Sequence, residues 1–418
     1  MTVPKRGAAI AASLAAPDPR RLTTLRRRFP TIADLRDVAR RRVPSFGFEY
    51  VDGGVGHGDP NAARNAAAMD AVELVPRYGG DDGSIATDVE LFGERYALPI
   101  GVAPMGVPGL MWPGGEEHLA RAAQAANVPF QLSTSSGAIE RAAELASNVF
   151  WFQLYRVARD DFAITYDLVG RAEAAGAHVL VLTLDVPARA KRPRELRTGL
   201  TAPFRPDLRT ILELARRPAW LVAFLQFGQP GFANFPRYVP GHPTHHLVAK
   251  YVRREVGGTF SWVEVARLRE RWPRALVVNG IMHPRDAERA VSLGADGVQV
   301  SNHGGRQFEA APASIDVLPA IVATVGSRAT ILYDGAVRSG VDILRALALG
   351  AKAVFAGRPF MYGLGALGAE GPDYVMDFYR EELREAMRQC GVATLAETRS
   401  LSFRHSGAFR FTAAERTT

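Results

Sequence analysis

Short apolar runs recur along the second part of this chain, at residues 100–103, 130–133, 150–154, 179–183, 275–278, 297–300, 330–333 and 353–356. They are rich in Val, Ile, Leu, Ala and Phe, and have the length and composition of strands buried on both faces. Longer segments lie between them, such as 116–126, 159–175, 284–293 and 341–349, in which Ala, Leu and Val recur at helical spacing. Eight strands alternating with helix-length segments predict parallel β/α units, and eight such units predict closure into a (β/α)8 TIM barrel of the α/β class. One gap, about 190–260, is too long for a single helix. An insertion is therefore expected after strand four, at about 193–258.

Upstream of the barrel, Ile32-Ala33-Asp34-Leu35-Arg36-Asp37-Val38-Ala39 has the spacing of a short amphipathic helix. Residues 1–30 are rich in Ala, Arg and Pro and read as a disordered basic tail. The Ala-dominated stretch 7–16 is too weakly apolar for a secretory signal and is closed by Pro17-Asp18-Pro19. The barrel domain is expected over 31–395, with a C-terminal tail over 396–418. Gly53-Gly54-Val55-Gly56-His57-Gly58 follows no strand and precedes Asp59-Pro60, so it reads as a turn rather than a dinucleotide loop. No run of 18 apolar residues occurs, and no membrane-spanning helix is expected.

A chain of 418 residues with 47% apolar content can bury a large core. The net charge of +8 and pI near 9.8 favour acidic partners: nucleic acid, anionic lipid or small carboxylates. Much of that excess lies in arginines before the first strand. A single cysteine, Cys390, excludes an intrachain disulfide framework and a zinc cluster built on several thiolates. His242, His245 and His246 have no carboxylate or thiolate pattern beside them, so no metal site is expected.

Candidate chemistry gathers where the strands stop. Strand six ends in Ser301-Asn302-His303-Gly304-Gly305-Arg306-Gln307, which joins an imidazole able to take a proton to a guanidinium able to hold a carboxylate or phosphate. The glycines let backbone turn and approach a ligand closely. Polar or glycine residues also end the other strands: Pro104-Met105-Gly106, Ser133, Gln153-Leu154-Tyr155, Thr183-Leu184-Asp185, Asn279, Asp334-Gly335-Ala336-Val337-Arg338 and Gly357-Arg358. In a barrel these share the C-terminal rim, where active sites form. The last two, ending strands seven and eight, suit a phosphate cradle.

The heptapeptide from Ser301, Phe152-Gln153-Leu154-Tyr155, Asp334 to Arg338 and Gly357-Arg358-Pro359 resemble, in order and spacing, the FMN-dependent α-hydroxy acid oxidase and dehydrogenase family. The likeness covers roughly residues 30–395. Gly109 to Gly115 and the stretch from Pro218 to Asn234 are similar to its mandelate and lactate dehydrogenase branch. The resemblance implies an FMN cofactor and oxidation of an L-2-hydroxy acid to the 2-oxo acid. It implies His303 as base with Asp185 behind it, Tyr155 on the substrate hydroxyl, and Arg306, Arg192 and Tyr50 on the carboxylate. Whether hydride leaves or the carbon is first deprotonated stays open. It also implies that Pro104, Met105, Gly106, Ser133, Gln153, Thr183 and Ser301 line the flavin ring and ribityl chain, and that Asp334, Gly335, Ala336, Arg338, Gly357 and Arg358 form the rest of the flavin site.

Two positions qualify this. The family carries a lysine at the end of strand five, where this chain has Asn279. That substitution keeps open oxidation of a modified peptide or amine. At Gly106 oxidases of the family tend to carry alanine, so glycine favours a dehydrogenase passing electrons to quinone or a protein over an oxidase using O2. The basic, aromatic insertion suits either a substrate lid or a peripheral membrane contact through 208–237, which would place a cytoplasmic enzyme at the inner face of the membrane. A homotetramer is common in the family, and no nucleic-acid partner is expected.

Overall fold

The computed structural model describes residues 19–78, 83–199, 208–409 and 411. All eight anticipated strands form and close into one barrel: β1 (Ile100–Val102), β2 (Phe130–Ser133), β3 (Phe150–Leu154), β4 (Val179–Thr183), β5 (Ala275–Ile281), β6 (Gly297–Val300), β7 (Thr330–Asp334) and β8 (Ala353–Ala356). The order around the barrel is β7-β8-β1-β2-β3-β4-β5-β6, with every pair parallel. The register sets polar residues side by side on the C-terminal rim, Ser133 opposite Gln153 and Thr183 opposite Asn279. Strand β5 runs past its apolar run, so Asn279 lies within the ladder, next to an irregularity between Asn279 and Ile281.

The N-terminal mouth of the barrel is closed by a hairpin, Val89–Leu91 with Glu94–Tyr96. Phe92 and Gly93, at its turn, both have positive φ, as a two-residue turn with the right twist requires. Phe92 packs edge-on to the buried Trp151 at 5.6 Å, and the Trp151 indole N–H donates to Tyr96 Oη at 2.9 Å. Strands of three residues carry too short a pattern to be seen from sequence.

Three segments frame the rim. The helix Ile32–Arg42 starts at a Thr31/Asp34 capping box and buries Ile32, Leu35 and Ala39. The helix Ser45–Asp52 follows, tied down by Asp52, which accepts from Arg36, Arg194 and Tyr362. The insertion contains the helices Pro193–Arg197, Leu208–Ala215, Pro218–Phe227 and His245–Glu255. It docks on the entry segment through Glu213, which accepts from Ser45, and Trp220, edge-on to Phe46 at 5.8 Å.

Both expected tails need correction. Residues 19–28 are a helix rather than part of a disordered tail, held by an Arg26–Asp377 ion pair of 2.8 Å. Residues 1–18 lie outside the described residues. At the other end, Phe403–His405 pairs antiparallel with Val72–Leu74, so the segment after 396 is built into the fold. Residue 410 and residues 412–418 lie outside the described residues.

Candidate active site

The loop after β6 turns through three consecutive left-handed residues, His303 (φ 58), Gly304 (φ 62) and Gly305 (φ 77). Gly305 has no room for a side chain, because a Cβ would lie 2.5 Å from Ala62 N. For His303 the conformation costs about 1–2 kcal/mol, offset by the bonds that hold it. Its backbone N–H donates to Ser301 Oγ at 3.0 Å, and its ring Nδ1 lies 3.2 Å from Asp185 Oδ1. Asp185 fits beside β5 only because residue 280 is glycine; a Cβ there would come within 2.6 Å of the aspartate side chain.

With Nδ1–H donated to Asp185, His303 Nε2 carries the lone pair and faces Tyr155 Oη at 3.4 Å. Burial, then the charge of Asp185 and the neighbouring Tyr50, raise the Tyr155 phenol further above its ordinary range, so it remains a donor at neutral pH. Asp185, His303 and Tyr155 thus form a chain of acceptor, base and hydroxyl.

The three cations of Lys191-Arg192-Pro193-Arg194 separate in the structure. Arg194 turns inward to Glu49, Asp52 and Asp59, while Lys191 is exposed and lines the cavity. Arg192 approaches Arg306, donating from Nε to its carbonyl at 3.2 Å. Arg306 is half-buried, and burial, then Arg192 and Arg358, lower its pKa; a guanidinium stays charged even so. Its terminal nitrogens donate to the carbonyls of Tyr50, Val51 and Gly53 and to Glu195. Glu195 was missed from sequence, where it looks like one more acid in a charged run. It bridges the two expected carboxylate ligands, 3.0 Å from Arg192 and 3.1 Å from Arg306.

The glycine turn after Tyr50 also does more than expected. The carbonyls of Val51 and Gly53 orient both Arg306 and Arg358. Tyr50 itself donates to Gly106 O at 3.0 Å.

These residues surround a cavity of about 1240 Å³, larger than the roughly 300–1,000 Å³ usual for one ligand. Pro104, Met105, Gly106, Asn279, Ser301, Asp334, Gly335, Ala336, Arg338, Gly357 and Arg358 all line it, as do Tyr50, Tyr155, Arg192, His303 and Arg306. Three expected flavin contacts lie deeper. Gln153 donates to Thr183 Oγ1 at 2.8 Å, Asn279 donates to the same hydroxyl at 3.4 Å, and Ser133 is buried beside Met105. Inside the barrel Gln299 donates to Asp334 at 2.6 Å, as does Ser301 at 2.6 Å. Burial raises the Asp334 carboxyl above the usual carboxylate range. Gln299 escaped notice because it sits in an apolar run.

The donor set fits FMN. Among the described residues Gln153 Oε1 and Asn279 Oδ1 are buried without partners, and the Thr183 hydroxyl, already accepting twice, can donate elsewhere. A flavin pyrimidine edge offers one N–H between two carbonyls: either amide oxygen can accept that N–H, and the Thr183 hydroxyl and the second N–H of each amide can donate to the carbonyls. At the other end the helix Arg358–Leu367 begins without a side-chain cap, leaving backbone N–H groups for a phosphate beside Arg338 and Arg358. Gly335 (φ 125) must be glycine there, because a Cβ would lie 2.3 Å from Ser314 Oγ.

A barrel rim whose groups fit a flavin and its phosphate, beside a histidine and paired arginines, defines a flavin-dependent oxidoreductase of small acids. The FMN-dependent dehydrogenase family profile matches residues 39–404, and the chain belongs to that family. The chain is 37% identical over 364 residues to an L-lactate dehydrogenase of Caulobacter sp. (strain K31), spanning 87% of this chain and 95% of that protein. An L-lactate dehydrogenase of Pseudomonas syringae pv. syringae (strain B728a) is 35% identical over 367 residues, with 87% and 96% covered. Among solved structures, the monotopic membrane protein (S)-mandelate dehydrogenase superposes with a TM-score of 0.84 at 33% identity, covering 90% of this chain and 99% of that one. A mandelate oxidase gives 0.77 at 35% identity, with the same coverage. The protein is therefore an FMN-dependent enzyme that oxidises 2-hydroxy acids.

Proposed function

We propose that the enzyme oxidises an L-2-hydroxy acid to the 2-oxo acid as a dehydrogenase, and that the chain Asp185, His303, Tyr155 is its acid–base apparatus. The observation that carries this reading is the placement of His303 Nε2 beside Tyr155 Oη and in the same cavity as Arg192 and Arg306. The substrate carboxylate exchanges with Glu195 for the two arginines, with Tyr50 close by. Tyr155 donates to the substrate hydroxyl oxygen, and His303 Nε2 takes the hydroxyl proton. Asp185 stabilises the imidazolium that results. Bound FMN supplies the acceptor for two electrons and the α-hydrogen. Gln153, Thr183, Asn279 and Ser301 would hold its ring, and Arg338, Gly357 and Arg358 its phosphate.

Anaerobic addition of L-lactate and (S)-mandelate to FMN-loaded protein should bleach the flavin. The reduced enzyme should reoxidise faster with a quinone analogue than with O2. No bleaching by any of a panel of 2-hydroxy acids would sink the reading, and faster turnover with O2 would make the enzyme an oxidase.

Peripheral membrane contact belongs to the same reading. Leu208, Ile211, Leu212, Val222 and Leu225 are exposed on two consecutive helices of the insertion, near exposed Arg216. Among the described residues no helix is long and apolar enough to cross a membrane, and the apolar patch suits lying on one. The segment cannot simply be deleted as a test, because Trp220 and Phe235 are buried and Asn234 bonds Thr134, Gly137 and Ile139. Leu212→Glu with Leu225→Glu should instead abolish co-sedimentation with anionic liposomes while flavin content is kept. Retained co-sedimentation would favour the lid.

A further inference from the structure

The cavity holds more positive charge than a flavin phosphate and one carboxylate require. Arg338 and Arg358 are accounted for by the phosphate seat, and Arg192 and Arg306 by the substrate carboxylate. Three further cations, Arg189, Lys191 and Arg253, line the outer part of the same cavity. Among the described residues two carboxylates line it, Glu195 and Asp334. Each is engaged, Glu195 by Arg192 and Arg306 and Asp334 by Ser301 and Gln299.

Arg189 is the most informative of the three. One terminal nitrogen donates to the carbonyls of Val252 at 3.1 Å and Val256 at 3.3 Å. Those bonds fix the guanidinium at the base of the helix His245–Glu255. The other terminal nitrogen and Nε leave three N–H donors with no partner among the described residues. Neither Arg189 nor Lys191 has an ion pair with a carboxylate among those residues. Burial, then Arg253 and Arg192, lower the Arg189 pKa, and its charge in turn acts on the phenols of Tyr50 and Tyr155. It therefore belongs electrostatically to the site, although it stands at the mouth.

Tetrahedral geometry says what lies in its direction. A 2-hydroxy acid with its carboxylate on Arg192 and Arg306, its hydroxyl at His303 and Tyr155, and its α-hydrogen toward the flavin has one substituent left. That side chain must take the open part of the cavity, whose walls include Ser135, Val186, Val252 and Val256. The small Ser135 leaves room, the valines suit methylene groups, and the guanidinium of Arg189 follows.

We infer that the preferred substrate is a 2-hydroxy dicarboxylic acid, its distal carboxylate held at the cavity mouth by Arg189, with Lys191 and Arg253 adding to the field. This rests on the reading of the cavity as a 2-hydroxy acid site. The test compares 2-hydroxy dicarboxylic acids of four to six carbons with their ω-amides, in native enzyme and in Arg189→Leu. Both kcat/KM and calorimetric binding of the corresponding 2-oxo acids to the oxidised holoenzyme are measured.

The native enzyme should favour at least one dicarboxylate over its amide by about tenfold or more, about 1.4 kcal/mol, and Arg189→Leu should bring that ratio close to one. A native ratio near one, or a ratio unchanged in both Arg189→Leu and Arg189→Gln, overturns the inference. If neither series is oxidised while L-lactate or (S)-mandelate bleaches the flavin, the inference fails and the hydroxy acid reading stands; if none of these acids bleaches it, the hydroxy acid reading fails. The calorimetric comparison then decides the anion site by itself, tighter binding of the dicarboxylate through Arg189 supporting it and equal binding refuting it. A loss confined to binding of anionic vesicles would assign Arg189 to a lipid headgroup and would also overturn it.

Discussion

Glu195 places a carboxylate oxygen 3.1 Å from Arg306, at the position proposed for the substrate carboxylate. The same oxygen is 3.0 Å from Arg192, so the protein's own acid bridges the pair. Substrate binding is then an exchange of one carboxylate for another, and the net charge of the clamp is lower than two guanidiniums imply. Glu195→Gln should tighten binding of oxalate and of 2-oxo acids by about tenfold, or 1.4 kcal/mol, read from perturbation of the oxidised flavin spectrum. Weaker binding in the variant would mean that Glu195 chiefly holds the arginines in place.

His303→Ala removes the proposed base and leaves the residues proposed to seat the flavin in place. Flavin content should be retained while anaerobic flavin reduction slows by at least ~10²-fold, the usual effect of losing a general base. Reduction at the native rate would refute the role given to the imidazole.

At Gly106 a Cβ would lie 2.9 Å from Tyr50 Oη, closer than side-chain carbons tolerate. Gly106→Ala should push the phenol away and lengthen its bond to the residue 106 carbonyl. KM for the 2-hydroxy acid should rise several-fold with FMN stoichiometry unchanged. A native KM would show that Tyr50 does not contact substrate.

Asn279 bears on electron flow. Reduction gathers negative charge at the pyrimidine edge of a flavin, and an amide answers it more weakly than an ammonium; charge-assisted hydrogen bonds are roughly twice as strong. Asn279→Lys should raise the flavin reduction potential and speed reduction by substrate; even ~1.4 kcal/mol in the transition state gives a tenfold gain. Potentiometry and stopped-flow bleaching check both. An unchanged or lower potential would mean the charge is already supplied by a neighbouring arginine.

The helix bearing Tyr50 is held through Asp52. Burial by itself would raise that carboxyl, but hydrogen bonds from Arg36, Tyr362 and Arg194 outweigh burial and hold it well below the usual range. Stability from a depressed carboxyl is present above its unfolded pKa of about 3.9 and is lost as pH falls toward the folded value. Asp52→Asn should lower stability at pH 7 by about 3 kcal/mol, the low end for breaking a buried pair, and flatten the acid limb of the stability profile. Urea denaturation from pH 7 down to pH 3 measures both.

The barrel was legible because each strand is an unbroken apolar run flanked by helical spacing, and the rim followed from where those runs stop. His303, Asp185, Tyr155 and the arginines carry chemistry rare enough to stand out. What escaped has physical causes. The hairpin at Val89 and the strand at Phe403 are too short for a period to register. Glu195, Arg189 and the Val51 and Gly53 carbonyls matter through contacts between segments far apart in sequence. Gln299 is a polar residue whose partners, Gln131 and Asp334, come from other strands.

Several of the entry segment's partners come from beyond residue 353. Tyr362 bonds Asp52, Arg42 reaches the carbonyl of Ala366, Tyr374 bonds the carbonyl of Phe29, and residues 403–405 complete the strand at Val72–Leu74. During synthesis the helix with Tyr50 therefore emerges long before these partners exist. A ribosome-bound chain halted before residue 353 lacks β8 and every one of these anchors, so its hydroxy acid site is unfinished however well the earlier strands have paired. Competence waits on residues 353–405, and the segment around Tyr50, made some three hundred residues earlier, takes its place only when they arrive.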